Sequence, residues 1–325
     1  MNILNRRAAL TFGAAALSAL SPLARGQTYP SRPIRFIAAN PAGGLTDSVS
    51  RVYATRLPAA LGQPVVIDNK PGANGGVAAS SLVAAPADGY SFVVADGSML
   101  TVNHLLAARL PYDHARDFAP VALLGQAPLF LAVTPKLGVN SFDELLELAK
   151  RKPGALNYGS AGLGSTHHLT MEAVKGQLGV SITHIPYKGS AAAVPALLAG
   201  DVDMVFSAYP SVAGLVKVGQ VKLLAVNSGK RWPLEPNVPA IAEKIPGFDF
   251  APIVMLVARA GTPPEVIGRM SAEVARIAQL PEAIESARSI GVTLVGGGPA
   301  ALSEALQRES VQMANAVKRA GLKPE

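Results

Sequence analysis

Asn40-Pro-Ala-Gly-Gly-Leu-Thr-Asp47 is the first of two glycine-rich turns in the chain, and Tyr158-Gly-Ser-Ala-Gly-Leu-Gly-Ser-Thr-His-His168 is the second. Each turn follows an apolar, strand-like run and leads into a helix-like stretch. A turn of this kind directs unpaired backbone N–H groups, and the positive end of the helix dipole, towards whatever lies in front of it. Because neither turn contains Lys or Arg, the pair predicts two main-chain seats for a small anion such as a carboxylate.

Short β-rich runs alternate with Ala- and Leu-rich amphipathic stretches from Pro33 onwards. This pattern is typical of βα units on a largely parallel sheet and predicts the α/β class. The predicted helices cover residues 46–61, 75–85, 141–150, 165–178, 191–198, 264–279 and 300–319. The predicted strands cover residues 34–39, 65–68, 92–95, 130–134, 156–158, 182–185, 204–207, 223–226, 253–258 and 292–295.

The number and spacing of these strands predict two domains. Ten strands are many for one doubly wound sheet. Proline- and glycine-rich segments, which are typical of connections between domains, lie near residues 125–128 and again at residues 245–252. We therefore expect the chain to cross between two units twice. This predicts a discontinuous first domain, residues 27–125 plus 253–325, that encloses a second domain, residues 126–252.

The composition of the 325-residue chain is that of a globular protein, with 49% hydrophobic and 16% charged residues. Aromatic residues make up only 5%, while Gly and Pro number 31 and 26. These values indicate an aliphatic core with many tight turns, and they provide few aromatic faces on which nucleic-acid bases could stack. We therefore expect no nucleic-acid partner.

The amino terminus has the pattern of an export signal. An arginine pair, Arg6-Arg7, precedes an uncharged stretch, residues 8–24, and a small-residue cleavage site. Twin arginines favour the twin-arginine route, with ordinary Sec export as the alternative. A membrane anchor is disfavoured because the stretch is short and interrupted by a proline. We predict that residues 1–26 are removed near Gly26 and that the mature protein is periplasmic.

Removal of that segment lowers the net charge of the chain. The full chain carries +7, and residues 1–26 contain three arginines and no acid, so the mature protein carries 7 − 3 = +4. Such a charge weakly favours anionic small molecules through long-range steering. Because the chain has no Cys, it forms no disulfide, no thiolate metal site and no lipid-bearing cysteine.

The second turn and its surroundings disfavour nucleotide binding and catalysis. Gly159 and Gly164 have the glycine spacing of a phosphate-binding loop, but Ser165 occupies the position of its lysine. His167 and His168 are adjacent, so on a helix they project about 100° apart and do not easily share a metal. No G-x-S-x-G nucleophile motif occurs in the sequence. We expect no cofactor, no metal and no catalytic residue, and an exported hydrolase is the least favoured alternative.

A third turn, His184-Ile-Pro-Tyr-Lys-Gly189, ends another predicted strand and opens a helix. Its polar groups can therefore converge on the same cleft as those of the second turn. Lys188 is the cation nearest to this predicted site, although a long lysine side chain at a helix start is more often solvated.

Several motifs occur together in the order found in one known family. They are Pro71-Gly-Ala-Asn-Gly-Gly76, Asp88-Gly-Tyr90, the second and third turns, Ala196-Leu-Leu-Ala-Gly-Asp-Val-Asp203 and Leu223-Leu-Ala-Val226. From about Tyr29 to Lys323 the chain resembles the Bug family, the periplasmic solute-binding receptors of tripartite tricarboxylate transporters.

The resemblance implies a two-lobe periplasmic-binding-protein fold, each lobe with a mainly parallel sheet, that closes on its ligand by hinge motion. It also implies that main-chain amides and ordered waters hold the ligand carboxylate. The residues that match the family's first seat are Pro41, Ala42, Gly43, Gly44, Thr46, Asp47, Asp96 and Ser98. Those that match the second seat are Ser160, Ala161, Gly162, Ser165, Thr166, His168, Pro186, Tyr187, Lys188 and Asp203.

Two positions depart from the family's usual pattern. Ala251-Pro252 occupies a segment where an aromatic residue is common, which leaves more room in the cleft. Asp96 occupies a loop that more often carries small hydroxyl residues, so an acid lies near the carboxylate seat. This favours a ligand with an amine or hydroxyl group over a simple dicarboxylate.

The sequence therefore predicts a monomeric extracytoplasmic receptor that binds a small carboxylate and delivers it to the membrane subunits of a transporter. The alternative is a periplasmic ligand-sensing module that acts on a sensor kinase. Both functions require the same cleft, so the residues do not separate them. The identity of the ligand also stays open at this point.

Overall fold

The strands form two separate β-sheets in the structure, a computed structural model that describes residues 29–187 and 190–324. The predicted export signal, residues 1–26, lies outside the described residues. In chain order the strands are β1 Ile34–Ala38, β2 Val65–Asn69, β3 Ser91–Asp96, β4 Phe118–Gln126, β5 Leu129–Val133, β6 Asn157–Ser160, β7 Thr183–Pro186, β8 Met204–Ala208, β9 Lys222–Val226, β10 Ile253–Arg259 and β11 Thr293–Gly297.

Both sheets mix parallel and antiparallel strands. Sheet A has the strand order β11-β4-β10-β3-β1-β2, and sheet B has the order β7-β6-β8-β5-β9. Parallel pairing joins β1 to β2 and β3, and β6 to β7 and β8, whereas the other pairs are antiparallel. The expectation of mainly parallel sheets therefore holds only around β1 and β6. The reason is the path of the chain. β4 leads from sheet A into sheet B, and β10, where the chain returns to sheet A, pairs with β4 in the antiparallel direction.

Helices flank both sheets, and two of them have the side-chain caps that the sequence indicates. The hydroxyl oxygens of Ser141 and Ser165 accept the Glu144 and His168 N–H groups. No described helix is both long enough and apolar enough to cross a bilayer. In chain order the helices are α1 Leu45–Ala54, α2 Pro58–Leu61, α3 Gly76–Val83, α4 Ser98–Thr101, α5 Asn103–Leu106, α6 Phe142–Arg151, α7 Thr166–Leu178, α8 Ser190–Ala199, α9 Tyr209–Lys217, α10 Pro264–Ile277, α11 Pro281–Ser289 and α12 Pro299–Arg319.

The predicted strands are all present, with ends shifted by at most two residues, but β4 is an additional strand. Its sequence contains Pro120, which cannot donate to a sheet ladder and so argues against a central strand. The structure accommodates this proline through a register shift beside Val257 of β10. Helices α9 and α11 are also additional, and the predicted helix 46–61 is divided where Pro58 starts α2.

Successive residues along the strands of sheet A point to opposite faces of the sheet, and each face packs into its own hydrophobic core. Phe36 packs with one layer on one face, and its neighbour Ile37 packs with another layer on the opposite face. Sheet B has the same construction, with Leu131 and Ala132 in different layers. Two sheets with separate cores, both flanked by helices, confirm the predicted two-lobe α/β fold.

The last helix, α12, packs against both lobes. Leu302 and Ala305 belong to the core beside sheet A, whereas Met313 and Ala316 belong to the core of the sheet B lobe. One continuous helix therefore connects the two units physically. The predicted domain boundaries at residues 125/126 and 252/253 stay a prediction.

Candidate ligand-binding site

A cavity of about 170 Å³ lies where β1, β2 and β3 end. These parallel strands bring their carboxyl ends to one edge of sheet A, with β1 in the middle. The strands β2 and β3 follow β1 in the chain and lie on opposite sides of it, which makes β1 a topological switch point. Ligands of α/β proteins bind in the crevice at such a point. Ten residues line the cavity: Ala39, Asn40, Pro41, Pro71, Gly72, Asn74, Gly75, Ala95, Asp96 and Met99.

The first glycine-rich turn is closed by a reciprocal pair of hydrogen bonds. The Asn40 N–H donates to Thr46 Oγ1 over 2.9 Å, and the Thr46 N–H donates to Asn40 Oδ1 over 3.0 Å. Thr46 is completely buried. Its hydroxyl group therefore shapes the turn, and the predicted contact between Thr46 and a ligand is not supported by this position.

Asp47 is also committed to the turn, with 1% of its surface exposed. Its carboxylate accepts the Gly43 N–H at 2.9 Å and two Arg51 nitrogens at 2.8 and 2.9 Å. The Asn69 amide donates a further bond at 3.0 Å. Burial alone would raise the pKa of Asp47, but these hydrogen bonds outweigh it and lower the pKa to about 2. Asp47 is thus an ionised support for the turn, and its predicted contact with a ligand stays a prediction.

The glycines of this turn adopt a backbone that a side chain would not allow, next to Pro41 on the cavity wall. Gly43 has φ +81°, and a Cβ at Gly44 would lie 2.6 Å from the Asn40 Cβ. Helix α1 begins at Leu45 with no side-chain cap. Within the described residues, no acceptor is found for the N–H groups of Ala42 and Leu45. Uncapped amides at a helix start can bind an anion, as the sequence predicts for this turn.

Asp96 ends β3 on the cavity, and a chain of hydrogen bonds fixes its carboxylate. The Ser98 N–H donates to Asp96 Oδ1 at 2.9 Å, and the Ser98 hydroxyl donates to the same oxygen. The Asn74 amide donates to Ser98 Oγ at 2.8 Å. Burial raises the pKa of Asp96, and the bonds from Ser98 oppose that shift. Ser98, which is buried, therefore positions Asp96 and does not face a ligand itself.

The loop after β2 is part of the cavity, although the sequence analysis assigned it no site residue. Pro71, Gly72, Asn74 and Gly75 all line the cavity. Ala73 and Asn74 both have positive φ values, 48° and 47°, which are uncommon for residues with a Cβ and concentrate at functional sites. The motif Pro71-Gly-Ala-Asn-Gly-Gly76, directly after a strand, is the signal that could have identified this loop.

Ser160 ends β6 and is completely buried at the base of the second turn. Its hydroxyl oxygen lies 2.6 Å from His184 Nε2 and accepts the Gly162 N–H at 3.0 Å. Gly162 itself has φ +121°, which side chains rarely tolerate. Ser160 therefore holds the turn from inside, and its predicted role as a ligand donor is not supported.

His168 is buried beneath the same turn, with 3% of its surface exposed. Its Nδ1 accepts the Gly164 N–H at 3.1 Å, and its ring stacks on His184 with a centroid separation of 4.0 Å. Burial, followed by the neighbouring His184, lowers the pKa of His168 to about 4. His168 is thus a neutral packing residue beneath the turn, and its place in the seat stays a prediction.

The outer part of the second turn remains available to a ligand. Ala161, Gly162, Ser165 and Thr166 are half-buried. The Ser165 hydroxyl caps α7 and donates to the Gly162 carbonyl at 2.7 Å. A Cβ at Gly164 would collide with the Leu106 side chain, so the turn lies against α5.

The third turn joins the second through one backbone hydrogen bond. The Tyr187 N–H donates to the Ser160 carbonyl at 3.1 Å, which places Pro186 and Tyr187 beside the second turn. Lys188 lies outside the described residues. Asp203 is different, because it exchanges hydrogen bonds with Asn157 at the opposite end of β6. The structure therefore separates Asp203 from the seat to which the sequence assigned it.

The structure keeps the two predicted seats apart. The cavity at the ends of β1–β3 includes Pro41 and Asp96 of the first seat but no residue of the second turn. The segment from Met99 to Leu106 runs between them, since its first residue lines the cavity and its last contacts the second turn. Across residues 29–187 and 190–324, no group of three or more His, Cys, Asp or Glu side chains is arranged to hold a metal ion.

Residues 49–322 match the model of a known family, the tripartite tricarboxylate transporter family receptor. The chain belongs to this receptor family. The receptor is 35% identical over 298 residues to BugT of Bordetella pertussis, with 91% of each chain covered. The predicted Bug-family resemblance is therefore confirmed. The family consists of periplasmic solute-binding receptors and not enzymes.

Two solved structures resemble the receptor closely. A protein of R. palustris solved with adipate is 35% identical, with a TM-score of 0.81, and the match covers 91% of this receptor and 100% of that chain. MatC of Rhodopseudomonas palustris with bound malate is 27% identical, with a TM-score of 0.74, over 89% of this receptor and 100% of MatC. The receptor is therefore similar to proteins that bind small dicarboxylates.

Proposed function

We propose that this receptor captures a small carboxylate-bearing metabolite between its lobes and delivers it to the membrane subunits of a tripartite tricarboxylate-type transporter. The observation that carries the proposal is the cavity at the ends of β1–β3, beside the uncapped amides of Ala42 and Leu45. Main-chain amides at a helix start provide the charge and geometry that a carboxylate needs. The adipate and malate found in two related structures are carboxylates of this size.

Capture in this proposal uses both lobes. The first turn and the loop at residues 71–75 form the wall on sheet A, and residues 161–166 form the wall on sheet B. The lobes move about the chain crossings at residues 125/126 and 252/253, which we take as the domain boundaries. The contact between Gly164 and Leu106 supports this arrangement, because it places the second wall next to the segment that follows the cavity.

A thermal-shift and calorimetry screen of adipate, malate, citrate and aromatic monocarboxylates tests the binding step. A ligand that binds only the native state adds about 2.7 kcal/mol of stability at a hundredfold excess over Kd. Gly44→Ala should weaken binding at least tenfold, because the new Cβ would lie 2.6 Å from the Asn40 Cβ. Gly268→Ala is the matched control, since open space surrounds that position.

Two results would contradict the binding step. The first is the absence of any shift with a full panel of mono-, di- and tricarboxylates. The second is an equal affinity of the Gly44→Ala and Gly268→Ala variants for a carboxylate that the wild type binds. Either result would remove the first turn from the ligand site.

Export and delivery form the remaining part of the proposal. We propose that the mature protein begins near Gln27, is released into the periplasm and acts as a monomer. Amino-terminal sequencing of the periplasmic protein tests the cleavage. Deletion of the partner membrane subunits should abolish uptake of the bound carboxylate without changing its affinity for the purified receptor. Normal uptake after that deletion would favour a sensory role.

A further inference from the structure

Asp96 is the one ionisable side chain on the wall of the cavity among the residues that the structure describes. None of the ten lining residues is Lys, Arg or His. Arg51, in the neighbouring turn, is already paired with Asp47. A ligand made only of carboxylates would therefore bring negative charge towards the Asp96 carboxyl without a compensating cation on this wall. An acid as the single ionisable group on this wall fits a ligand that also carries a positive group.

The carboxylate of Asp96 is oriented and has acceptor capacity left. Asn74 donates to Ser98, and Ser98 donates twice to Asp96 Oδ1, so a fixed chain of hydrogen bonds leads to this oxygen. A carboxylate has about four acceptor positions. No other side chain in the described part of the receptor donates to Asp96. Its second oxygen therefore remains for a donor that enters from the cavity.

A second acid, Glu309, lies next to Gly97, the residue that follows Asp96. The Glu309 carboxylate packs against Gly97 and is 8% exposed, with Thr101 Oγ1 donating to its Oε1 at 3.0 Å. Its Oε2 has no partner among the described residues. Asp96 accepts two hydrogen bonds and Glu309 accepts one, so hydrogen bonding favours the anion of Asp96 more than that of Glu309. Of the two acids only Asp96 lines this cavity, so it is the one that an ammonium group in the cavity can meet.

We propose that Asp96 receives an ammonium group, so that the natural ligand is a carboxylate that also carries an amine. This inference rests on the proposed function, since it concerns the same cavity. β1 and β3 are neighbouring strands, and their ends place the amides of the first turn and the Asp96 carboxylate at one edge of sheet A. A 2-amino carboxylate can meet both, with its carboxylate at the amides and its ammonium at Asp96. Asp96 is thus the specificity-determining residue of the site.

Matched ligand series test the proposal by calorimetry at pH 7. One series is adipate, 2-hydroxyadipate and 2-aminoadipate, and the other is succinate, malate and aspartate. Each series changes one substituent while the two carboxylates stay in place. The amine should bind about 10- to 100-fold more tightly than the unsubstituted acid in at least one series, as a charge-assisted hydrogen bond provides.

Asp96→Asn tests the residue, because an amide oxygen can keep both bonds from Ser98 while the charge is lost. The preference for the amine should fall at least tenfold, and the affinity for the unsubstituted acid should stay equal or rise. Asp249→Asn is the matched control, since burial also raises the pKa of Asp249 but this acid lines a different cavity of about 130 Å³. Its variant should keep the wild-type preference.

Three results would overturn the inference: unsubstituted acids that bind as tightly as their amines in both series, hydroxy acids that do so in both series, or an Asp96→Asn variant that retains the preference. In each case binding itself persists, so the proposed function stands. If no member of either series or of the wider carboxylate panel binds, the proposed function fails together with the inference. Thermal unfolding of each variant in the absence of ligand establishes that it is folded.

Discussion

Two carboxylates at one edge of sheet A have opposite electrostatic environments. Asp47 accepts hydrogen bonds from Gly43, Arg51 and Asn69, and its pKa falls to about 2 despite burial. Asp96 accepts bonds only from Ser98, and burial raises its pKa. The number of donors that surround a buried acid therefore decides how strongly its ionised form is favoured.

Glu309 predicts a pH dependence of stability at the level of one residue. Burial first, and then the charges of Asp96 and Asp249, raise its pKa to about 8, while the bond from Thr101 opposes the shift. Arg308 is the cation nearby, and it lowers the pKa of Asp249. From about pH 4.5 to pH 8 the native state keeps a proton that the unfolded state has released, so stability falls as the pH rises.

Glu309→Gln should remove this loss, because a neutral amide does not titrate. The free energy of unfolding of the variant, relative to wild type, should increase between pH 5 and pH 8 by roughly 1–3 kcal/mol. Urea unfolding at both pH values measures it. Glu304→Gln, an exposed acid on the same helix, is the control and should give no such increase. Parallel pH profiles for wild type and Glu309→Gln would contradict the prediction.

At the residue scale, the sequence predicted where the glycine-rich turns lie but not the hydrogen-bond partners of their side chains. The Gly43-Gly44 turn could be predicted, since glycines between a strand and a helix have few other uses. Thr46, Ser160 and His168 could not be placed, because a polar residue type does not reveal which neighbour will occupy its hydrogen bonds. In the structure those partners are inside the protein.

At the scale of the elements, helix α7 begins at the second turn. Substitution of its cap residue, Ser165, changes both stability and ligand binding, and the two effects can be measured separately. Ser165→Ala removes the bond to the His168 N–H and the 2.7 Å bond to Gly162 O. Loss of a serine cap costs about 1 kcal/mol of stability. Because the Gly162 carbonyl also loses the shortest of its hydrogen bonds, the variant should in addition bind a carboxylate ligand several-fold more weakly. Urea unfolding and calorimetry measure the two effects.

Ser141→Ala supplies the matched control for that prediction. Ser141 caps α6 through the Glu144 N–H at 3.1 Å, in the same lobe but away from the second turn. Its variant should lose about the same 1 kcal/mol and keep the wild-type affinity. Equal ligand affinities of the Ser141→Ala and Ser165→Ala variants would mean that the second turn does not take part in ligand binding.

The predictions of helices and strands were wrong where tertiary contacts, and not the local sequence pattern, decide the secondary structure. β4 contains Pro120 and still forms a strand between β10 and β11, because its apolar residues from Val121 to Leu124 are needed in the core. α9 and α11 were not predicted, although each has a proline in its first helical turn, where that residue is favourable. Strands of β-branched and aromatic residues were predicted well, since their pattern does not depend on distant partners.

At the scale of the whole molecule, Asn227 joins the two chain crossings between the sheets. It is fully buried, and its side chain accepts the Leu129 N–H and donates to the Phe250 carbonyl, both at 2.8 Å. Leu129 follows the first crossing, and Phe250 precedes the second. The two crossings therefore behave as one joint and not as independent linkers.

Asn227→Ala should destabilise the protein by about 2–4 kcal/mol, because it leaves two buried backbone groups without partners. Urea unfolding at pH 7 measures the loss. Asn140→Ala is the control, since that exposed amide oxygen only accepts a bond from Lys222 Nζ. A change below 1 kcal/mol for Asn227→Ala would mean that each crossing is held by its own strand pairing alone.

The path of α12 has a consequence for the end of the chain. Residues near its start are fixed in one lobe, and residues near its end are fixed in the other. A helix packed into both lobes cannot keep all of these contacts when the angle between the lobes changes, so a change in that angle shifts or bends the helix against one of the two cores. A fluorophore attached after Arg319 would therefore report ligand capture from outside the cleft, without occupying it.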